Sequence, residues 1–213
     1  MPGCHGCAAA VPPAARTGRG KRAMGMKRHL LRAVRALVLA AIALAVVAAG
    51  YPLARWVHER RAEARLDRYS DLIWREAEAN ALPPDLVRAV IRAESRGQPR
   101  AVSATGAKGL MQITPIAERE VLGVLRLPQG DLFDPDYNVR VGTVYLRRLV
   151  ERFGGDLHLA MAAYHWGPGH VQTLRNEHPV LSGKDLVERH APRVTARYVR
   201  EVLKGRPIVL PSL

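Results

Sequence analysis

Hydrophobic and polar positions divide the chain into stretches of different character. Residues 36–54 (ALVLAAIALAVVAAGYPLA) carry no charge, and as a helix they are long enough to cross a hydrocarbon core of about 30 Å. Residues 55–79 mix charges of both signs with Trp56, Leu66, Tyr69, Leu72, Ile73 and Trp74, which reads as a charged juxtamembrane spacer running into a helix. Residues 80–205 show no internal repeat, no low-complexity tract and no sustained period-2 alternation. A mainly α-helical domain is therefore expected there, with residues 206–213 as a short tail.

Turn chemistry sets the expected helix limits. Pro83-Pro84-Asp85 opens a helix to about Arg96, Thr114-Pro115 places a capping hydroxyl before a first-turn proline, and Asp134-Pro135-Asp136 starts a helix to about Phe153. Gly154-Gly155-Asp156 ends that helix and caps the next, Leu157 to about His165, which should stop at Gly167-Pro168-Gly169. Pro192 opens a last helix to about Lys204. Between Gln98 and Gly109 lies the chief irregular loop.

Charge changes the picture at the N-terminus. The 213 residues hold 33 Lys+Arg against 19 Asp+Glu, a net +14. Residues 1–35 contribute Arg16, Arg19, Lys21, Arg22, Lys27, Arg28, Arg32 and Arg35 with no acid. A basic arm before an uncharged run predicts a cytoplasmic tail and an outward-facing remainder, rather than a nucleic-acid-binding arm. Val47-Ala48-Ala49 before Gly50 suits a signal peptidase, so an uncleaved anchor and a released form both stay open. The 48% hydrophobic content excludes a wholly disordered or collagen-like chain, and two cysteines cannot staple a secreted mini-protein. Cys4 and Cys7 form a lone C-x-x-C beside His5, read as a dispensable start upstream of Met24 or Met26 rather than as a metal site.

Candidate chemistry centres on the first helix of the domain. At 100° per residue, Val87, Val90 and Ile91 share one stripe and Glu94 falls inside it, while Arg88, Arg92 and Arg96 point elsewhere. A carboxyl on an apolar face near a helix end holds its proton toward neutrality and can serve as a general acid. A small helix rotation would instead leave it solvated or salt-bridged. His158, His165, His170, His178 and His190 show no His-Glu-x-x-His pattern, and neither a Gly-x-Ser-x-Gly elbow nor a phosphate loop occurs, so no metal or cofactor is expected. Tyr137, Tyr145 and Phe153 read as core residues, and Met111 as either core or cleft.

Further residues carry a resemblance. Glu94-Ser95, Ala107-Lys108-Gly109-Leu110-Met111-Gln112 with Pro115, Asn138/Gly142/Tyr145/Leu146, Ala163-Tyr164-His165-Trp166-Gly167-Pro168-Gly169 and Tyr198-Val199 follow one another in order. Together they resemble the Slt-type (family 1) lytic transglycosylases of bacterial cell walls, relatives of goose-type lysozymes. The resemblance implies a lysozyme-like helical domain that acts on peptidoglycan glycan strands between N-acetylmuramic acid and N-acetylglucosamine. It implies Glu94 as acid/base with Ser95, Tyr164 and Tyr198 in support, and Ser103, Thr105, Gly109, Met111, Gln112 and His165 as substrate-binding positions. His165 stands where the family usually has Asn; it either borders the cleft or packs beside Trp166. Alternatives are a lysozyme-like hydrolase, or a catalytically weak membrane-anchored wall-binding adaptor of a secretion or division assembly.

Overall fold

The computed structural model describes residues 19–126 and 128–204, and divides them into two units, residues up to Trp56 and residues from Val57 onward. Helix α1 (Arg19–Asp67) contains the apolar run, with Pro52 inside it. Leu37, Val38, Leu39, Ile42, Leu44, Val46, Val47 and Leu53 are all exposed on it. The stretch from Val34 is long and apolar enough to span a membrane. Cys4, His5 and Cys7 and residues 206–213 lie outside the described residues.

The regular elements of the second unit are helices, with isolated bridges Val102–Lys108 and Lys108–Ile113 in the loop between two of them. After the end of α1 come α2 (Ser70–Ala79), α3 (Pro84–Ser95), α4 (Pro115–Leu125), α5 (Pro135–Arg152), α6 (Leu157–Trp166), α7 (Pro168–Glu177), α8 (Gly183–His190) and α9 (Arg193–Leu203). Capping follows the expected chemistry: Thr114 accepts from the Ala117 N–H, Asp134 from Asp136 and Tyr137, and Asp156 from His158 and Leu159. Helix α6 has no acid or arginine and buries Leu159, Ala160, Met161, Ala162 and Ala163. Apolar on nearly every side, it serves as the central helix, packed against α5, α7, α8 and α9. Small alanines let those neighbours approach closely.

Three features depart from the expected outline. Helix α6 stops at Gly167, as expected, where φ is 99°, but Pro168 then occupies the first position of a further helix, α7, that was not expected. The segment before Pro192 forms α8, capped by Ser182, whose hydroxyl accepts from the Asp185 N–H. The charged stretch ahead of α2 also enters the core, because Ala62 and Leu66 are buried there with Leu72, Ile73 and Ala77.

Candidate active site

Glu94 sits in the last turn of α3, three residues past the fully buried Ile91 and four past Val90. Its carboxyl is pushed up from the ordinary 4.5 to about 7, first by burial; the nearby Tyr198 hydroxyl pulls it part of the way back. Lying at the negative end of the α3 dipole acts in the same upward direction as burial. No basic or acidic side chain contributes to the shift. The neighbouring arginines are engaged elsewhere: Arg88 with Glu63 and Asp67, and Arg92 with Glu63.

Tyr198 comes from α9, which packs on α3. Its hydroxyl is buried and interacts with Glu94 without completing a hydrogen bond of good geometry. Burial pushes the Tyr198 phenol well up, and the Glu94 charge adds to that effect. Tyr164, from α6, behaves alike. Its hydroxyl donates to the Met111 carbonyl at 2.8 Å, and its ring meets Tyr145 at 5.6 Å between centroids. Both phenols therefore stay protonated: Tyr198 faces the carboxyl as a neutral donor, while the Tyr164 proton is held by the Met111 carbonyl.

The loop between α3 and α4 is fixed from beneath. Asn138 of α5 is fully buried; its Oδ1 accepts from the Met111 N–H at 2.7 Å, and its Nδ2 donates to the Lys108 and Leu132 carbonyls, each at 2.9 Å. One side chain thus satisfies two buried backbone groups and adds a second donor to the Lys108 carbonyl, which also accepts from the Ile113 N–H. Gly109 has φ 80°, and a Cβ there would collide with Asn138 Nδ2 and the Leu132 carbonyl. Gly142 leaves room for the Met111 side chain, which is fully buried and belongs to the core rather than the cleft. Gln112 adopts φ 49°, unfavourable for a residue with a Cβ. Its Nε2 donates to the Ala101 and Gly109 carbonyls and holds that conformation in place.

The other expected site residues fall as follows. Ser95 is buried; its hydroxyl donates to the Ile91 carbonyl and accepts from the Gly97 N–H, so it closes the end of α3 directly after Glu94. Ser103 Oγ and Thr105 Oγ1 are 2.9 Å apart, and Ser103 also accepts from the Ala107 N–H, so the two hydroxyls brace the loop. His165 does not pack beside Trp166. Its ring lies on Tyr198, with centroids 4.6 Å apart, while Trp166 stacks on His170. The reason is geometric: adjacent residues on a helix point about 100° apart, so one faces α9 while the other faces the start of α7.

A cavity of about 270 Å³ opens beside this constellation, lined by Gln112, Tyr145, Tyr164, His165 and Trp166 together with the exposed Ile116. Tyr145 therefore combines a core position with a face on the cavity, which the core reading did not capture. A larger cavity of about 390 Å³ lies along the α3 N-terminal half and the end of α9, but its Arg88, Arg92 and Glu63 are already paired with one another. The smaller one has an aromatic lining, and although Glu94 is not among its lining residues, its Tyr164 feels the Glu94 charge, which makes it the candidate site of chemistry. Among the described residues, no three His, Cys, Asp or Glu side chains converge as metal ligands.

Residues 71–186, more than half of the chain, match the family described as the transglycosylase SLT domain. The chain belongs to that family. The soluble lytic murein transglycosylase of Escherichia coli K12 is 34% identical over 140 residues, covering 63% of this chain and 22% of that protein. The membrane-bound lytic murein transglycosylase F of Desulfosudis oleivorans is 37% identical over 119 residues, covering 53% and 25%. In structure, an inactive mutant of the lytic transglycosylase Slt from Pseudomonas aeruginosa aligns with TM-score 0.59 and 32% identity, over 62% of this chain and 22% of that one. The SLT chain thus spans about a quarter of the length of these relatives. Its lysozyme-like, all-helical domain accords with the expected fold class.

Proposed function

We propose that the chain is a peptidoglycan lytic transglycosylase that cleaves the β-1,4 bond between N-acetylmuramic acid and N-acetylglucosamine. The observation that carries this reading is the Glu94 carboxyl, held protonated to about pH 7 by burial beside Tyr164 and Tyr198. Two-carboxylate hydrolysis needs a partner for Glu94; a substrate-assisted cut does not. In the first step Glu94 gives its proton to the bridging oxygen, the bond at C1 breaks, and the sugar's own acetamido oxygen closes on C1. In the second step the Glu94 carboxylate takes the proton of the C6 hydroxyl as O6 attacks C1 and displaces the acetamido oxygen. The acid is regenerated, no water is consumed, and a 1,6-anhydromuramoyl end results.

The supporting roles follow from the contacts. Tyr198 steadies the Glu94 anion once its proton has left, Tyr164 ties the loop to α6, and Ser95 fixes the helix end that aims Glu94. Ser103, Thr105 and Gln112 belong to the loop that would flank the N-acetyl groups, and Gly109 and Met111 give that loop its shape. Replacing Glu94 with Gln should lower turnover on purified wall by about 10²- to 10⁴-fold with the fold intact. Wild-type rate should fall as pH rises through about 7, because the acid is then ionised. Near-normal cleavage by the Gln variant would overturn the assignment.

The same reading places the enzyme at the bacterial inner membrane, with residues 36–54 as a single span, residues 1–35 in the cytoplasm and the SLT domain in the periplasm. Support comes from the unbroken exposure of large apolar side chains on α1, which lipid would cover, and from the basic flank before Ala36. Tyr51 and Trp56, both exposed, stand at the outer end of the run where aromatic residues suit a membrane interface.

A further inference from the structure

The imidazole of His165 is held on two sides. Nδ1 lies 3.2 Å from the Thr195 hydroxyl, and one ring face rests on Tyr198. Thr195 is 1% exposed, and among the described residues its hydroxyl has no other hydrogen-bond partner. Were the proton on Nδ1, the Thr195 O–H would be buried without an acceptor, a state that buried hydroxyls avoid. The hydroxyl therefore donates to Nδ1, and in the neutral ring the proton sits on Nε2. The edge carrying Nε2 is the free one, on a residue that is exposed as a whole and lines the 270 Å³ cavity with Gln112, Tyr164 and Trp166. Partial burial of the ring lowers its pKa below the ordinary 6.5, so the ring is neutral at pH 7.

We propose that His165 is a substrate-recognition residue whose Nε2–H donates one hydrogen bond into this cavity, to an acceptor oxygen of the bound glycan such as a sugar hydroxyl or an acetamido carbonyl. The proposal rests on the reading of the chain as a glycan-cleaving enzyme. An asparagine at this position could turn either end of its amide toward the ligand. Thr195 locks the imidazole so that it offers a donor alone, and the group that faces it must accept. The His-for-Asn difference thus narrows what the cavity takes while keeping a neutral polar contact there.

Two measurements on the full chain in nonionic detergent test this. Long-range ¹H–¹⁵N correlation at pH 7.5, with the His165 signals assigned by their loss in His165→Asn, should show Nε2 protonated and Nδ1 bare. Thr195→Val should shift that ring toward a mixture of tautomers. Binding of tri-N-acetylchitotriose should weaken about 3- to 10-fold in His165→Phe, which keeps a ring on Tyr198 but has no donor, and should stay within about 2-fold in His165→Asn. Protonation on Nδ1 in the wild type, or equal affinity of wild type and His165→Phe, would overturn the proposal. If His165→Phe does not fold, the tautomer of the wild type decides. Failure of the catalytic reading would look different: Glu94→Gln would cleave wall normally while the tautomer and the binding ratios stayed as stated.

Discussion

Glu94 should cost the protein stability, and the cost should depend on pH. Folded, the carboxyl keeps its proton to about pH 7; its ordinary value is 4.5. Between those values the folded state binds more protons than the unfolded state, so stability falls as pH rises and levels off above about 7. With about 1.4 kcal/mol for each pH unit of displacement, the penalty at pH 8 is about 3 kcal/mol. Glu94→Gln removes the titration while keeping the shape. Any packing or hydrogen-bond cost of the amide is the same at every pH, so the informative quantity is the variant-minus-wild-type difference at pH 8 less that at pH 4. Urea unfolding of both proteins in the same nonionic detergent, followed by tryptophan fluorescence, measures it. The expected value is about +3 kcal/mol in favour of the variant. A difference that does not change between the two pH values would show that Glu94 is not desolvated in the fold, and would remove the basis for its role as an acid.

Asn138→Ala should destabilise the domain by about 2 to 3 kcal/mol, since it strands the Met111 N–H and the Leu132 carbonyl in the interior and leaves the Lys108 carbonyl with the Ile113 N–H as its donor; an unfolding midpoint equal to wild type in urea would refute the staple. Protease added to spheroplasts should digest residues 81–205 if the SLT domain is periplasmic, whereas full protection would refute that placement.

Legibility differed between elements for physical reasons. The α3 stripe was plain because Val87, Val90, Ile91 and Glu94 share one face, and Thr114, Asp134 and Asp156 announced their helices by local capping. Helices α7 and α8 were not legible: α7 buries Val171 alone of its ten residues, and α8, with Leu186 and Val187 buried, is eight residues long, too short for an apolar period to repeat. The core contribution of residues 57–67 was hidden because Ala62 and Leu66 stand among charges that pair with α3, as Glu63 does with Arg88 and Arg92. At the site, Glu94, Tyr164 and Tyr198 could be found from their motifs. Thr195 gave no signal, since its link to His165 exists only because α9 packs against α6. The pairing of the Ser103 and Thr105 hydroxyls gave no signal in a small polar stretch, because it depends on how the loop turns.

The chemistry of the cut is tested most directly by digesting purified peptidoglycan in H₂¹⁸O and analysing the released muropeptides by mass spectrometry. If Glu94 acts first as acid and then as base on the C6 hydroxyl, the new ends are 1,6-anhydromuramoyl residues with no ¹⁸O incorporated, and Glu94→Gln yields almost none of them. Reducing ends that carry one ¹⁸O would show that water makes the second attack, and the chain would be a hydrolase.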